Sequence, residues 1–137
     1  AGCGITSAAF IAAPPVRPEN ITFPYGLAEF VLTGCTDAVT VTITYPTPYP
    51  LSSARYWKER DGVYAEFPAS LDGLRAVFVL RDNEAGDSDP DPGTIHDPSG
   101  VGLAAPAMAP SIPTLRLSMI ALLAALLGIL GVTHIER

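Results

Sequence analysis

The residues best suited to chemistry in this sequence are six carboxylates between Asp82 and Asp97, in a run without lysine or arginine. Prolines within the run disfavour a helix, so alternate carboxylates can turn towards one hard cation. Calcium, which takes about six to eight oxygen ligands, is the cation that such a comb would bind. The predicted calcium ligands are Asp82, Asp87, Asp89, Asp91 and Asp97. The alternative is a solvated acidic turn, since the spacing is not that of an EF-hand.

Groups for catalysis or for nucleic-acid binding are few. His96 and His134 are the only histidines, and no serine lies in a recognisable nucleophile turn. The net charge of −6 opposes binding to phosphate backbones, and the chain has neither a basic patch nor a glycine-rich phosphate loop. We therefore predict a protein that is not an enzyme, that binds neither nucleic acid nor a small-molecule substrate, and that needs no cofactor besides calcium.

The two cysteines, Cys3 and Cys35, indicate an oxidising compartment. Paired, they would tie an N-terminal arm to the end of an early strand and contribute about 3–4 kcal/mol. The alternative is lipidation, because Ala1-Gly2-Cys3 resembles the end of a lipoprotein signal. In both cases the sequence reads as an exported protein whose signal peptide has been removed.

Hydrophobic patterning predicts a mainly β fold. The segment from Ala38 to Tyr45, AVTVTITY, alternates apolar and polar residues, which is typical of a strand with one buried face. Asp61-Gly62 predicts a hairpin turn, and the apolar segment Leu74–Leu80 predicts a central strand. Further strands are predicted near Ala8–Ala12, at Leu27–Thr33, at Arg55–Glu59 and at Val63–Phe67.

These elements predict a small antiparallel β-sandwich, followed by a Pro/Ala spacer and one C-terminal hydrophobic α-helix. The predicted parts are an N-terminal arm over residues 1–19, a sandwich over 20–103, a linker over 104–113 and the helix over 114–137. Within the sandwich, Tyr56 and Trp57 are predicted to lie in the core. The alternative is an exposed aromatic pair that binds carbohydrate or a partner.

The C-terminal segment Leu117–Val132 is apolar except for Ser118. As a helix its sixteen residues would span about 24 Å, against about 30 Å for the hydrocarbon core of a bilayer. A helix without a polar face must be buried in lipid, in a larger core or among copies of itself. Small residues let such helices approach closely. The predicted anchor or assembly positions are Leu117, Ala121, Ala124, Ala125, Gly128 and Val132.

Two resemblances to known families add to these patterns. Phe23-Pro24-Tyr25-Gly26, the Val-Thr strand at 39–44, Tyr56-Trp57-Lys58 and the block from Leu80 to Pro98 resemble the choice-of-anchor U domain of bacterial surface proteins, over about residues 20–103. Ile112-Pro113-Thr114-Leu115, followed by an apolar segment, resembles the IPTL-CTERM sorting tails of Gram-negative bacteria. The resemblance implies an extracytoplasmic domain attached to a C-terminal anchor, and it brings no established catalytic residues.

Together these features predict a non-enzymatic structural protein of the bacterial surface. It would be exported to the cell surface, to the periplasm-facing membrane or to the medium. Its C-terminal helix would anchor it or drive self-association, as in a filament subunit. Two alternatives stay open: an accessory subunit of a membrane complex, and a calcium-dependent module that binds glycan or matrix.

Overall fold

A computed structural model describes residues 3–107 of the chain, and those up to Pro106 form one compact unit. Residues 108–113 of the predicted linker and the whole predicted C-terminal helix, with its six assembly positions, lie outside the described residues. Over residues 3–107 the protein is mainly β, and no helix there is long and apolar enough to cross a membrane. The strands are β1 (Gly4–Ile11), β2 (Ile21–Thr22), β3 (Leu27–Thr33), β4 (Val39–Thr44), β5 (Ala54–Arg60), β6 (Val63–Glu66), β7 (Ser70–Leu71), β8 (Arg75–Leu80) and β9 (Thr94–Ala104).

The strands form two antiparallel sheets that pack in a sandwich-like arrangement. The larger sheet has the order β1-β3-β9-β5-β6, and β2 also pairs with β9; the smaller sheet has the order β4-β8-β7. Buried apolar residues of both sheets join in one core. For example, the rings of Tyr56 on β5 and Phe78 on β8 lie 4.7 Å apart, which bridges the two layers.

Strand β9 is the centre of the larger sheet, although it comes last in the described chain. It pairs with β3 along Thr94–Ser99, with β5 along Ser99–Leu103 and with β2 at its end. Alternate residues of β9 point into the core and are almost fully buried, and these are Ile95, Asp97, Ser99 and Val101. Two of the four, Asp97 and Ser99, are polar, and both belong to the buried polar cluster described below.

The alternation of apolar and polar residues located several strands correctly. Strand β3 has the predicted bounds, and β4 begins and ends within one residue of its predicted span. The predicted hairpin joins β5 to β6, and its turn residues Asp61 and Gly62 have φ values of 51° and 80°. Strand β8 is central in the smaller sheet, as predicted, between β4 and β7.

The prediction that both Tyr56 and Trp57 lie in the core was half wrong. Tyr56 is only 2% exposed and packs between the sheets, whereas Trp57 points to the opposite face of β5 and is half-buried there. Neighbouring residues of a strand face opposite sides, so the two aromatic rings could not both enter the same core.

The first strand is held at the sheet edge by pairing with β3 and by a disulfide. Cys3 and Cys35 are bonded, with their Cα atoms 4.5 Å apart, so the predicted pairing is confirmed. Strand β1 is longer than the predicted segment near Ala8–Ala12 and runs from Gly4 to Ile11. All its residues except Ile11 are exposed, so apolar burial contributes little to holding it in place.

Candidate functional site: a buried lysine and aspartate beneath an acidic loop

The most unusual chemical feature of the domain is a lysine and an aspartate in contact inside the core. Lys58, the only lysine of the chain, lies on β5, and its Nζ contacts Oδ2 of Asp97 on the adjacent strand β9. Their side chains are 8% and 1% exposed. Lysine and aspartate are almost never buried to this extent unless they are paired, so each side chain depends on the other for its place in the core.

Two aromatic rings enclose the lysine. Its Nζ lies 4.5 Å from the ring centroid of Phe67 and 4.5 Å from that of Phe78. Ring faces attract a cation, and the same rings exclude water from the amine. The amine therefore has an aromatic ring on each of two sides and the Asp97 carboxyl as its contact partner.

Hydroxyl groups continue the polar cluster along β9. Tyr56 and Ser99 share a hydrogen bond of 2.7 Å between their hydroxyl oxygens, next to the Lys58–Asp97 pair. Further along, the backbone N–H of Val101 donates to the hydroxyl of Tyr45 at 3.1 Å. Within the described part of the chain, Oδ1 of Asp97 has no hydrogen-bond partner. One acceptor of the buried carboxyl is thus left unused.

Burial shifts the pKa of both members of the pair towards the neutral form. Removal from water lowers the pKa of Lys58, and the nearby charge of Asp97 opposes this shift only in part. Removal from water also raises the pKa of Asp97, against the opposing charge of Lys58. Burial likewise raises the pKa of Tyr56. Removal from water therefore destabilises the charged form of each group relative to its neutral form.

The acidic loop, residues 81–93 between β8 and β9, covers the site, and Asp87 fixes the backbone of this loop. This buried carboxylate accepts three backbone N–H bonds, from Asn83 at 2.9 Å, from Asp89 at 2.9 Å and from His96 at 3.1 Å. A second aspartate, Asp82, accepts from the backbone N–H of Gly93 at 2.8 Å. Several prolines and glycines prevent regular secondary structure here, so carboxylate oxygens accept the hydrogen bonds that the backbone N–H groups of the loop would otherwise donate to a strand.

Gly86 brings the loop into direct contact with the lysine. Its φ is 99°, and a Cβ atom built there would lie 2.8 Å from Cε of Lys58 and 2.9 Å from Phe67 and Leu80. Only a residue without a side chain fits at this distance. The acidic run thus forms the cover over the buried amine.

The five predicted calcium ligands are spread over different environments. Asp97 lies in the core against Lys58, Asp87 is a buried residue within the loop, and Asp91 is exposed. Oδ1 of Asp89 accepts from the backbone N–H of Asp91 at 2.7 Å. Across residues 3–107, no group of three or more acidic, histidine or cysteine side chains has the geometry to hold a metal ion. Calcium binding by the loop stays a prediction.

The importance of Lys58 was missed at the sequence level, although a signal was present. Ala54, Tyr56 and Lys58 alternate along β5, so a core position for Tyr56 places Lys58 on the same inner face. The second signal was that Lys58 is the only lysine of the chain, beside seven arginines. Neither pattern could identify Asp97 as its partner, because 39 residues separate them in sequence.

We predict that Gly86→Ala lowers the free energy of unfolding by about 2–4 kcal/mol, because the methyl group overlaps three side chains and alanine is strained at this φ. Gly93→Ala is the matched control, since Gly93 has a φ of 84° but nothing within 4 Å of the added atom. It should lose only the strain of about 1–2 kcal/mol. Equal losses in urea unfolding would show that Gly86 is not tightly packed.

We predict that Asp87→Asn lowers the free energy of unfolding by about 2–3 kcal/mol. The two oxygens of the carboxylate accept three N–H bonds, whereas an amide has only one acceptor oxygen. Asp91→Asn, at an exposed position in the same loop, should change stability by less than about 0.5 kcal/mol. Chemical denaturation of both variants provides the comparison. A similar response from the two variants would argue against Asp87 as the organiser of the loop.

Fold and site together define a class: an antiparallel two-sheet domain, closed by one disulfide and containing one buried lysine–aspartate pair. Comparison with protein-family models, with curated proteins and with solved structures finds no significant match. The resemblance to the choice-of-anchor U domain and to IPTL-CTERM tails therefore stays a prediction.

Proposed function

We propose that this protein is a non-enzymatic structural component of the bacterial surface, with its β domain outside the cytoplasm and its C-terminal apolar segment serving as anchor or assembly element. The observation that carries the proposal is how the domain uses its reactive side chains. Both cysteines are bonded to each other, and the only lysine is enclosed against Asp97. These groups connect strands of one sheet instead of facing a substrate.

The location rests on the disulfide. Disulfides persist in secreted and periplasmic proteins and are rare in the reducing cytosol. Cys35 is 3% exposed, and the bond joins β1 to the segment after β3. A bond in that position protects an exposed edge strand from fraying, which suits a protein that functions without cytoplasmic chaperones.

The assembly part of the proposal rests on the sequence of the tail. Ala121 and Ala125, and Ala124 and Gly128, are two pairs of small residues at helical spacing. Identical tails that pack through such pairs would place the acidic domains around the outside. A contact between unlike faces of this kind propagates into a filament when it does not close into a ring.

The test is negative-stain microscopy of material sheared from producing cells without detergent, with the intact 137-residue chain identified by mass spectrometry. We expect regular filaments, and Ala125→Leu with Gly128→Leu should abolish them. Ala107→Leu, at an exposed position of the predicted linker after β9, is the control and should leave them intact. A discrete complex released only by detergent would overturn self-assembly in favour of a membrane-complex subunit. A free monomer in the medium would overturn both.

A further inference from the structure

We propose that Lys58 and Asp97 become joined covalently by an amide bond between Nζ of the lysine and Cγ of the aspartate. The domain would then contain an intramolecular isopeptide crosslink between β5 and β9. This inference concerns the chemistry of the domain itself and does not depend on the proposed surface role.

The two reacting groups are held together by the fold on neighbouring strands. Lys58 is directly opposite Ser99 in the register of β5 and β9, so Asp97 is its diagonal neighbour on the same face. The side chains are already in contact inside the core. No rearrangement of the sheet is needed for reaction, so the entropic cost of bringing amine and carboxyl together is met by folding.

The surroundings favour the neutral amine and neutral acid that this reaction needs. Phe67 and Phe78 shield the amine, and Gly86 closes the loop over it. Desolvation lowers the pKa of the lysine and raises that of the aspartate, which supports the same conclusion. Burial of both side chains also limits the access of water, which hydrolysis of the amide would need.

The reaction balances without an oxidant or any co-reactant. The electron pair of Nζ attacks Cγ of the protonated Asp97 carboxyl, which forms the C–N bond and a tetrahedral intermediate. A proton moves from nitrogen to one carboxyl oxygen, that C–O bond breaks, and one water molecule leaves. Ser99 lies opposite Lys58 in the sheet and interacts with the Asp97 carboxyl, so its hydroxyl, which is hydrogen-bonded to that of Tyr56 at 2.7 Å, would carry the proton.

The first test is the intact mass of the full-length, disulfide-bonded protein under denaturing conditions. We expect the wild-type chain to be lighter than its sequence by one water, in addition to the two hydrogens lost in the disulfide. Asp97→Ala and Lys58→Met should each have the full sequence mass apart from the disulfide. After trypsin digestion, a peptide that contains Lys58 should remain joined to one that contains Asp97. A wild-type chain of full mass would overturn the proposal.

The second test uses the single lysine and does not require any variant to fold. An amine-reactive reagent is applied in denaturant, and the labels per chain are counted. Because Lys58 is the only lysine, a crosslinked wild type takes up the same number of labels as Lys58→Met. One additional label on the wild type would overturn the proposal.

The same measurement separates the crosslink from a succinimide at Asp61-Gly62, which also removes one water. A succinimide leaves Lys58 reactive and persists in Lys58→Met, so that result counts against the proposal.

Discussion

Asp97→Ala should lower the free energy of unfolding by at least about 3 kcal/mol, because it leaves Lys58 buried without its partner. The lysine side chain is 8% exposed and enclosed by two aromatic rings, so water does not replace the lost carboxyl group. Removing one member of a buried pair typically costs about 3–5 kcal/mol. Urea unfolding at neutral pH, followed by tryptophan fluorescence, measures the effect.

The matched control removes both polar groups together. Lys58→Met with Asp97→Leu leaves neither polar group buried without its partner, so the double variant should be more stable than Asp97→Ala. If Asp97→Ala unfolds within about 1 kcal/mol of the wild type, the pair is not a structural element of this core.

Replacing both cysteines, as Cys3→Ser with Cys35→Ser, should lower the free energy of unfolding by about 3–4 kcal/mol, because the disulfide joins residues 32 apart in sequence. The consequence should be concentrated on β1. All of its residues but Ile11 are exposed, so without the disulfide its main support is the ladder to β3. Amide hydrogen exchange should therefore become faster in Gly4–Ile11 than in the rest of the sheet.

A reductant provides the control for this second prediction. It should lower the stability of the wild-type protein to that of the double serine variant, and it should leave the variant unchanged. If β1 stays equally protected from exchange in the oxidised and reduced protein, then pairing with β3 alone holds the strand, and the disulfide has another purpose.

The strands that the sequence predicted well share one physical property: one face is buried and the other is wet. In β4 the residues Val39, Val41 and Ile43 turn inward while the threonines between them are exposed, so burial and hydrophobicity vary together. The hairpin of β5 and β6 was predictable for a different reason, because Asp61-Gly62 suits the backbone of a tight turn.

Strand β9 was not predicted, because its residues are poor strand formers. Pro98 has no N–H to donate, and Gly100 and Gly102 have no side chain to pack. The structure shows why glycines are needed there. A Cβ at Gly100 would lie 2.8 Å from the carbonyl oxygen of Gly26, and a Cβ at Gly102 would lie 2.6 Å from both Trp57 and Ile21. Close tertiary packing thus overrides local preference, which no pattern along the chain can reveal.

The candidate site was predictable in its composition and not in its connections. The acidic run stood out, and the pairing of Cys3 with Cys35 was one of two stated alternatives. Interpreting the run as one cation comb assumed that its carboxylates share an environment. The structure instead places Asp97 in a strand and Asp87 in the loop before that strand, because β9 begins at Thr94 within the run. That boundary depends on partners more than sixty residues away in sequence.

The position of β9 also determines the order in which the domain can fold. Of the strands between residues 3 and 107, the one that the central pairings of the larger sheet share is the last to be synthesised. Before Thr94–Ala104 is available, β3 and β5 have no common neighbour, and only β1–β3, β5–β6 and the smaller sheet can form. Pairings across such long sequence separations give a high contact order and slow folding. The larger sheet therefore cannot close until β9 is available to pair with both β3 and β5.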